Sequence, residues 1–104
     1  MRPKKPNYAR IKRIISVLLS NPDGIWLRKL SRDSKIPVST LHYYLDTHMK
    51  NLVENIGARN EEGNFFGVRL VRLKRGVFTQ LNDDSFESSL RKILTTNEIL
   101  SDLD

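Results

Sequence analysis

Apolar residues recur at helical spacing early and late in the chain and at strand spacing between. Tyr8, Ile11, Ile15 and Leu18, flanked by Ile14 and Leu19, follow the 3-4-3 interval of a buried helical stripe. They predict a first helix from about Tyr8 to Ser20, with Arg10, Lys12 and Arg13 elsewhere on its circumference. Asn21-Pro22-Asp23-Gly24 ends it with turn chemistry. Ile25 and Trp26 suit a very short strand. Leu27 to Ser34 predicts a second helix burying Leu27 and Leu30. Lys35-Ile36-Pro37-Val38 interrupts the pattern, because proline cannot continue a helix and pushes Ile36 from helical angles.

A third helix is predicted from about Ser39 to Lys50, with Ser39 as cap or Pro37 as first-turn residue. At the helical angular step Leu41, Leu45, His48 and Leu52 share one face. Ser39, Tyr43, Asp46, Thr47 and Lys50 occupy the opposite face, with Thr40 and His42 at its edges. After Asn51 the period changes. Leu52 to Arg59 and Phe65 to Lys74 read as two strands joined by the loop Asn60-Glu61-Glu62-Gly63-Asn64. Val68 and Leu70 alternate with Arg69, but Val71, Arg72 and Leu73 shift phase, which predicts a bulge near Leu70 and Val71. Gly76 is read as closing the hairpin. From Asp83 to about Leu103 a last helix is expected, acidic at its start, with Phe86, Leu90, Ile93, Asn97 and Leu100 on one stripe.

Two helices separated by a four-residue break, the second with an apolar back and a hydrogen-bonding front, have the layout of a helix-turn-helix. The order helix, short strand, helix, turn, helix and hairpin, over about Tyr8 to Arg75, resembles the winged-helix family of bacterial and archaeal regulators. The residues carrying the resemblance are Leu30-Ser31, Ile36, Val38-Ser39-Thr40-Leu41, Leu45 and Leu52-Val53-Glu54. The fold class expected is α+β: a three-helix helix-turn-helix core, a β-hairpin wing and an additional C-terminal helix. Residues 1–7 are read as a basic arm, 8–82 as the winged domain and 83–104 as the acidic C-terminal helix. The chain departs from the family pattern at Ser31, where alanine is usual, and at Trp26-Leu27, which offers no Ser/Thr cap. It departs again at Asn51, near a usual glycine. Glu61 and Glu62 at the wing tip would repel phosphate.

Charge sharpens the picture. Residues 1–75 hold sixteen Lys/Arg against six Asp/Glu, a net +10, whereas residues 76–104 hold two against six, a net −4. A basic body with an acidic end suits a polyanion-binding domain. No run approaches the roughly 20 apolar residues of a membrane span, and the N-terminus lacks the apolar stretch of a secretory signal. With no cysteine, disulfides and thiolate metal sites are excluded, and a cytoplasmic setting is expected. There is no Gly-rich phosphate loop, no His-Glu metal spacing and no convincing carboxylate pair outside the acidic tail. The expectation is a non-enzyme without metal or cofactor.

The resemblance implies double-stranded DNA as partner, with the third helix in the major groove. Ser39, Thr40, His42, Tyr43 and Thr47 are the short hydrogen-bonding side chains suited to base edges. Lys50 suits a phosphate, and Asp46 either a cytosine amino group or a neighbouring side chain. Arg28, Arg32 and Lys35 on or after the second helix, and Arg59 and Arg69 on the hairpin, are assigned to phosphates. His48 and Tyr44 are read as core residues, and Trp26 as a packed aromatic beside the helices. Arg2, Lys4 and Lys5 form either a minor-groove arm or a solubilising tail. The apolar stripe of the C-terminal helix, in this family, implies a homodimer through that helix; folding back over the first helix is the alternative. Transcriptional regulation is the simplest function. A protein-interaction winged-helix module in a transcription, replication or repair assembly, or binding of structured RNA, are the others.

Overall fold

The computed structural model describes residues 6–57, 69–81, 86–97 and 99, and its elements are α+β. Helix α1 (Tyr8–Leu19) starts at Asn7, whose side chain accepts a hydrogen bond from the Arg10 backbone N–H at 3.2 Å. That cap satisfies one of the N–H groups a helix leaves without an internal partner. Ile11, Ile14, Ile15 and Leu18 are fully buried, each removing a large apolar side chain from water at roughly 1.5–3 kcal/mol. The turn after α1 depends on Gly24 at φ +120°. Any Cβ there would meet Leu70 Cγ at 3.0 Å, so conformation and space both require glycine.

Strand β1 (Ile25–Trp26) passes directly into helix α2 (Leu27–Ser34). No side chain caps α2. Its first N–H instead donates to the carbonyl of Arg69 at 2.9 Å, so the neighbouring strand does the work of the missing Ser or Thr. The break to helix α3 (Val38–Asp46) is made by Lys35, which takes left-handed angles (φ 58°, ψ 37°). The Ile36 N–H reaches back to the Ser31 carbonyl at 3.2 Å, and the Ser31 hydroxyl donates to the Ile36 carbonyl at 2.6 Å. Ser31, unusual for the sequence pattern, thus pins the turn. Among the described residues other than glycine, Lys35 rather than Asn51 has positive φ.

Helix α3 ends four residues before the sequence expectation. Thr47 closes it at φ −118°, ψ −83°, with its hydroxyl donating to the Tyr43 carbonyl. The Met49 N–H then bonds to Tyr44 O, five residues back, at 2.9 Å. This looser turn drives Met49 into the core and leaves His48 half-buried. The expectation that His48 fills the apolar stripe is therefore corrected, while Tyr44 is in the core as expected.

Strands β2 (Val53–Ile56) and β3 (Leu70–Leu73) pair antiparallel, and β1 pairs antiparallel on the other side of β3, for the order β1-β3-β2. Val53 faces Leu73, Glu54 Arg72, Asn55 Val71 and Ile56 Leu70 without interruption, so no bulge falls at Leu70 or Val71. Val71 and Leu73 point into the core with Ile25 and Val53, and the apparent phase shift arises because Leu70 lies on the outer face. There Trp26, Leu70 and Ile56 form a row across the three strands, with Trp26 half exposed. Trp26 is therefore not the packed aromatic expected. The loop at 60–64 and Arg59, Glu61 and Glu62 lie outside the described residues.

Two helices follow. Helix α4 (Arg75–Leu81), where a hairpin end was expected at Gly76, places Leu81 in the core with Val77 and Phe78 against it. Helix α5 (Phe86–Thr96) packs on α4 and closes over the start of α1. The Tyr8 hydroxyl donates to Glu87 Oε2 at 2.7 Å, Lys12 pairs with the same carboxylate, and Arg91 lies 4.7 Å above the Tyr8 ring. Leu90, Ile93 and Leu94 join the same core as the first three helices. Of the stripe on which a dimer was expected, Leu90 and Ile93 are buried in the chain's own core, Phe86 packs against it, and Leu100 lies outside the described residues. Among the described residues, no helix is long and apolar enough to cross a membrane.

Candidate nucleic-acid interface

Leu41, Tyr44 and Leu45 anchor α3 to the core, and this fixes which side chains it shows to water. Ser39 and Tyr43 lie on the open face, with Thr40 and His42 half-buried at its two edges. Thr47 and Lys50 are exposed, but they belong to the turns after α3 rather than to the helix. The Thr47 hydroxyl spends its proton within the chain, on Tyr43 O, and keeps only acceptor capacity outward.

One edge of this face is held by a charged network. Arg69, assigned to phosphate from its place on the hairpin, is instead buried, with 2% of its side chain exposed. Its Nε and Nη2 donate to Asn55 Oδ1 at 2.9 and 2.6 Å, Nη2 also to Asp46 Oδ1 at 2.8 Å, and Nη1 contacts His42 Nδ1 at 2.8 Å. The strand turns Arg69 inward, on the same face as Val71, beneath α3. An isolated guanidinium at that depth is strongly disfavoured; a carboxylate, an amide and an imidazole compensate it. The arrangement ties β3 and β2 to α3 and sets the Asp46 carboxylate against a positive charge.

The other edge is a cleft of about 380 Å³ lined by Asn7, Arg10, Ser39, Thr40, Tyr43, Tyr44 and His48. The Asn7 backbone N–H donates to the Tyr44 hydroxyl at 3.0 Å, which fixes the start of α1 beside α3. Tyr43, Tyr44 and His48 meet edge to face, with centroids 5.1–6.2 Å apart. Burial among them lowers the His48 pKa from its ordinary value. Arg10 has no carboxylate partner among the described residues. The sequence reading placed it only as a helix cation, since, Asn7 apart, the residues that line the cleft with it lie far along the chain, from Ser39 to His48.

Arg28 and Arg32 are exposed one turn apart on α2, and Lys35 is exposed at its end. None is ion-paired among the described residues. Ser39, Thr40, His42 and Tyr43 thus come together on α3, with Arg10 added to them and Arg69 removed from the surface. No family model, curated protein or solved structure matches the chain.

Proposed function

We propose that the chain is a winged helix-turn-helix protein that binds double-stranded DNA, with α3 as the element entering the major groove, and that it acts as a regulator of transcription. The observation that carries this reading is the chemistry of the α3 surface. Hydroxyls and an imidazole occupy it, the Asp46 carboxylate beside them is paired to Arg69, and Arg10, with no carboxylate partner among the described residues, lies across the cleft. A helix face of short hydrogen-bonding side chains matches the donors and acceptors on base edges in a groove wide enough for one helix. The +10 charge of residues 1–75 supplies the sequence-independent attraction to phosphate.

The decisive experiment is a fluorescence-anisotropy titration of the intact chain against duplex DNA, single-stranded DNA and structured RNA at several salt concentrations. Tightest, salt-dependent binding to duplex is expected. Binding to none of the three overturns the proposal. In that case the outer-face row of Trp26, Leu70 and Ile56 favours the second reading, a protein-docking module, because an exposed tryptophan on an apolar row suits a protein partner.

A further inference from the structure

Resting on that DNA-binding reading, we infer that Arg69 sets His42 as a donor-only reader of a guanine. A guanidinium carries N–H donors and no acceptor. The Nη1–Nδ1 contact of 2.8 Å therefore makes His42 Nδ1 the acceptor and puts the ring proton on Nε2. Arg69 is the polar partner of His42 among the described residues, and no buried side-chain nitrogen or oxygen there lacks a partner. Nε2–H hence reaches solvent, at the edge of the α3 face. A histidine left to itself offers either nitrogen as donor or acceptor; this one offers a donor alone.

The consequence is selective. In the major groove guanine shows two adjacent acceptors, N7 and O6, whereas cytosine shows an amino donor and adenine pairs its one acceptor with such a donor. A lone N–H is satisfied by guanine at either of two acceptors and by thymine at O4 alone, and it is opposed by cytosine. Arg69 is a positioning residue here: it never meets the DNA and acts through the tautomer of His42. Asp46, one turn further along α3, and Asn55 complete the clamp by accepting from Nε and Nη2 of the same guanidinium.

Two measurements test this without requiring an Arg69 variant to fold. The first is the two-bond proton–nitrogen correlation spectrum of the free protein's imidazoles, which distinguishes the tautomers; His42 with its proton on Nε2 is expected, and on Nδ1 overturns the inference. The second uses the duplex selected by the intact chain from a random pool, with each guanine replaced in turn by 7-deazaguanine, which lacks N7, or by adenine, which lacks O6. At one guanine, at least one of the two changes is expected to weaken the parent about tenfold and leave H42A unaffected. Tight, salt-dependent duplex binding in which no guanine behaves so overturns the inference while the DNA reading stands. Absence of duplex binding by the parent removes both.

Discussion

His48 stands edge-on to Tyr43 and Tyr44, with Asn7 and Arg10 across the cleft. Removal from water opposes its charged form, so its folded-state pKa lies below the unfolded value of about 6.5. The folded protein consequently binds fewer protons than the unfolded chain as pH falls. Its contribution to stability is complete above the unfolded pKa and is lost as pH drops through that value towards the lower folded one. Urea denaturation of the parent and of His48→Gln between about pH 7.5 and 5 should show the parent losing more stability on acidification. Equal losses in the two proteins would mean that another group governs the acid limb. Single residues also show where sequence reading reached its limit. Tyr44 was legible as core from its place on the α3 wheel, because helical angle alone decides it. His48 was not, because the Thr47 hydroxyl and the wide turn to Met49 move it off that wheel. Arg69, which lies just before β3, was not legible as a buried residue, since its partners His42, Asp46 and Asn55 lie fourteen to twenty-seven positions away.

At the scale of elements, α1 and α2 followed from the chain because the apolar stripe and the turn signals that follow it agree within each segment. The expected α1 end at Ser20 differs by one residue from the observed Leu19. Helix α4 was missed because Arg75-Gly76 reads locally as the end of a hairpin. Its helical state rests on burying Leu81, Val77 and Phe78 against the rest of the core, a tertiary effect that overrides glycine's weak preference. The apolar stripe of α5 was legible, but a stripe does not say which surface covers it. The tether of Glu87 to Tyr8 and Lys12 brings the start of α5 against α1. If α5 is part of the monomer's core, truncating fully buried Leu94 should act as a core deletion. Leu94→Ala is expected to cost about 2–5 kcal/mol in urea denaturation, independent of protein concentration over a hundredfold dilution. A loss below about 0.5 kcal/mol, or a stability that rises with concentration, would place α5 at an interface between copies instead.

Over the whole molecule, what counts for DNA is not the net charge but which cations remain unpaired. Lys12 is paired to Glu87, Arg72 to Glu54 and Arg69 to Asp46, while Arg91 lies over Tyr8. Arg10, Arg28, Arg32, Lys35 and Lys50 are exposed and have no carboxylate partner among the described residues. A cation that neutralises a phosphate releases a condensed counterion, and each such contact adds about −0.9 to the slope of log K against log salt. A cation already held by a carboxylate would first have to give up that partner, so Arg72 should contribute little. Four to eight contacts in all correspond to a slope of roughly −4 to −7 for the intact chain. Arg28→Ala with Arg32→Ala should flatten it by close to two contacts' worth, about 1.8, and weaken binding to every duplex alike, because phosphate contacts carry no sequence information. Arg10→Ala should flatten it by about 0.9, if the cleft beside α3 seats a phosphate. Arg72→Ala serves as the internal control, expected to leave the slope unchanged. All four slopes come from the same anisotropy titration, repeated from about 50 to 200 mM salt. A slope in Arg28→Ala/Arg32→Ala equal to the parent's would remove α2 from the DNA backbone, and a change confined to Arg72→Ala would put the strands, not the helices, against it.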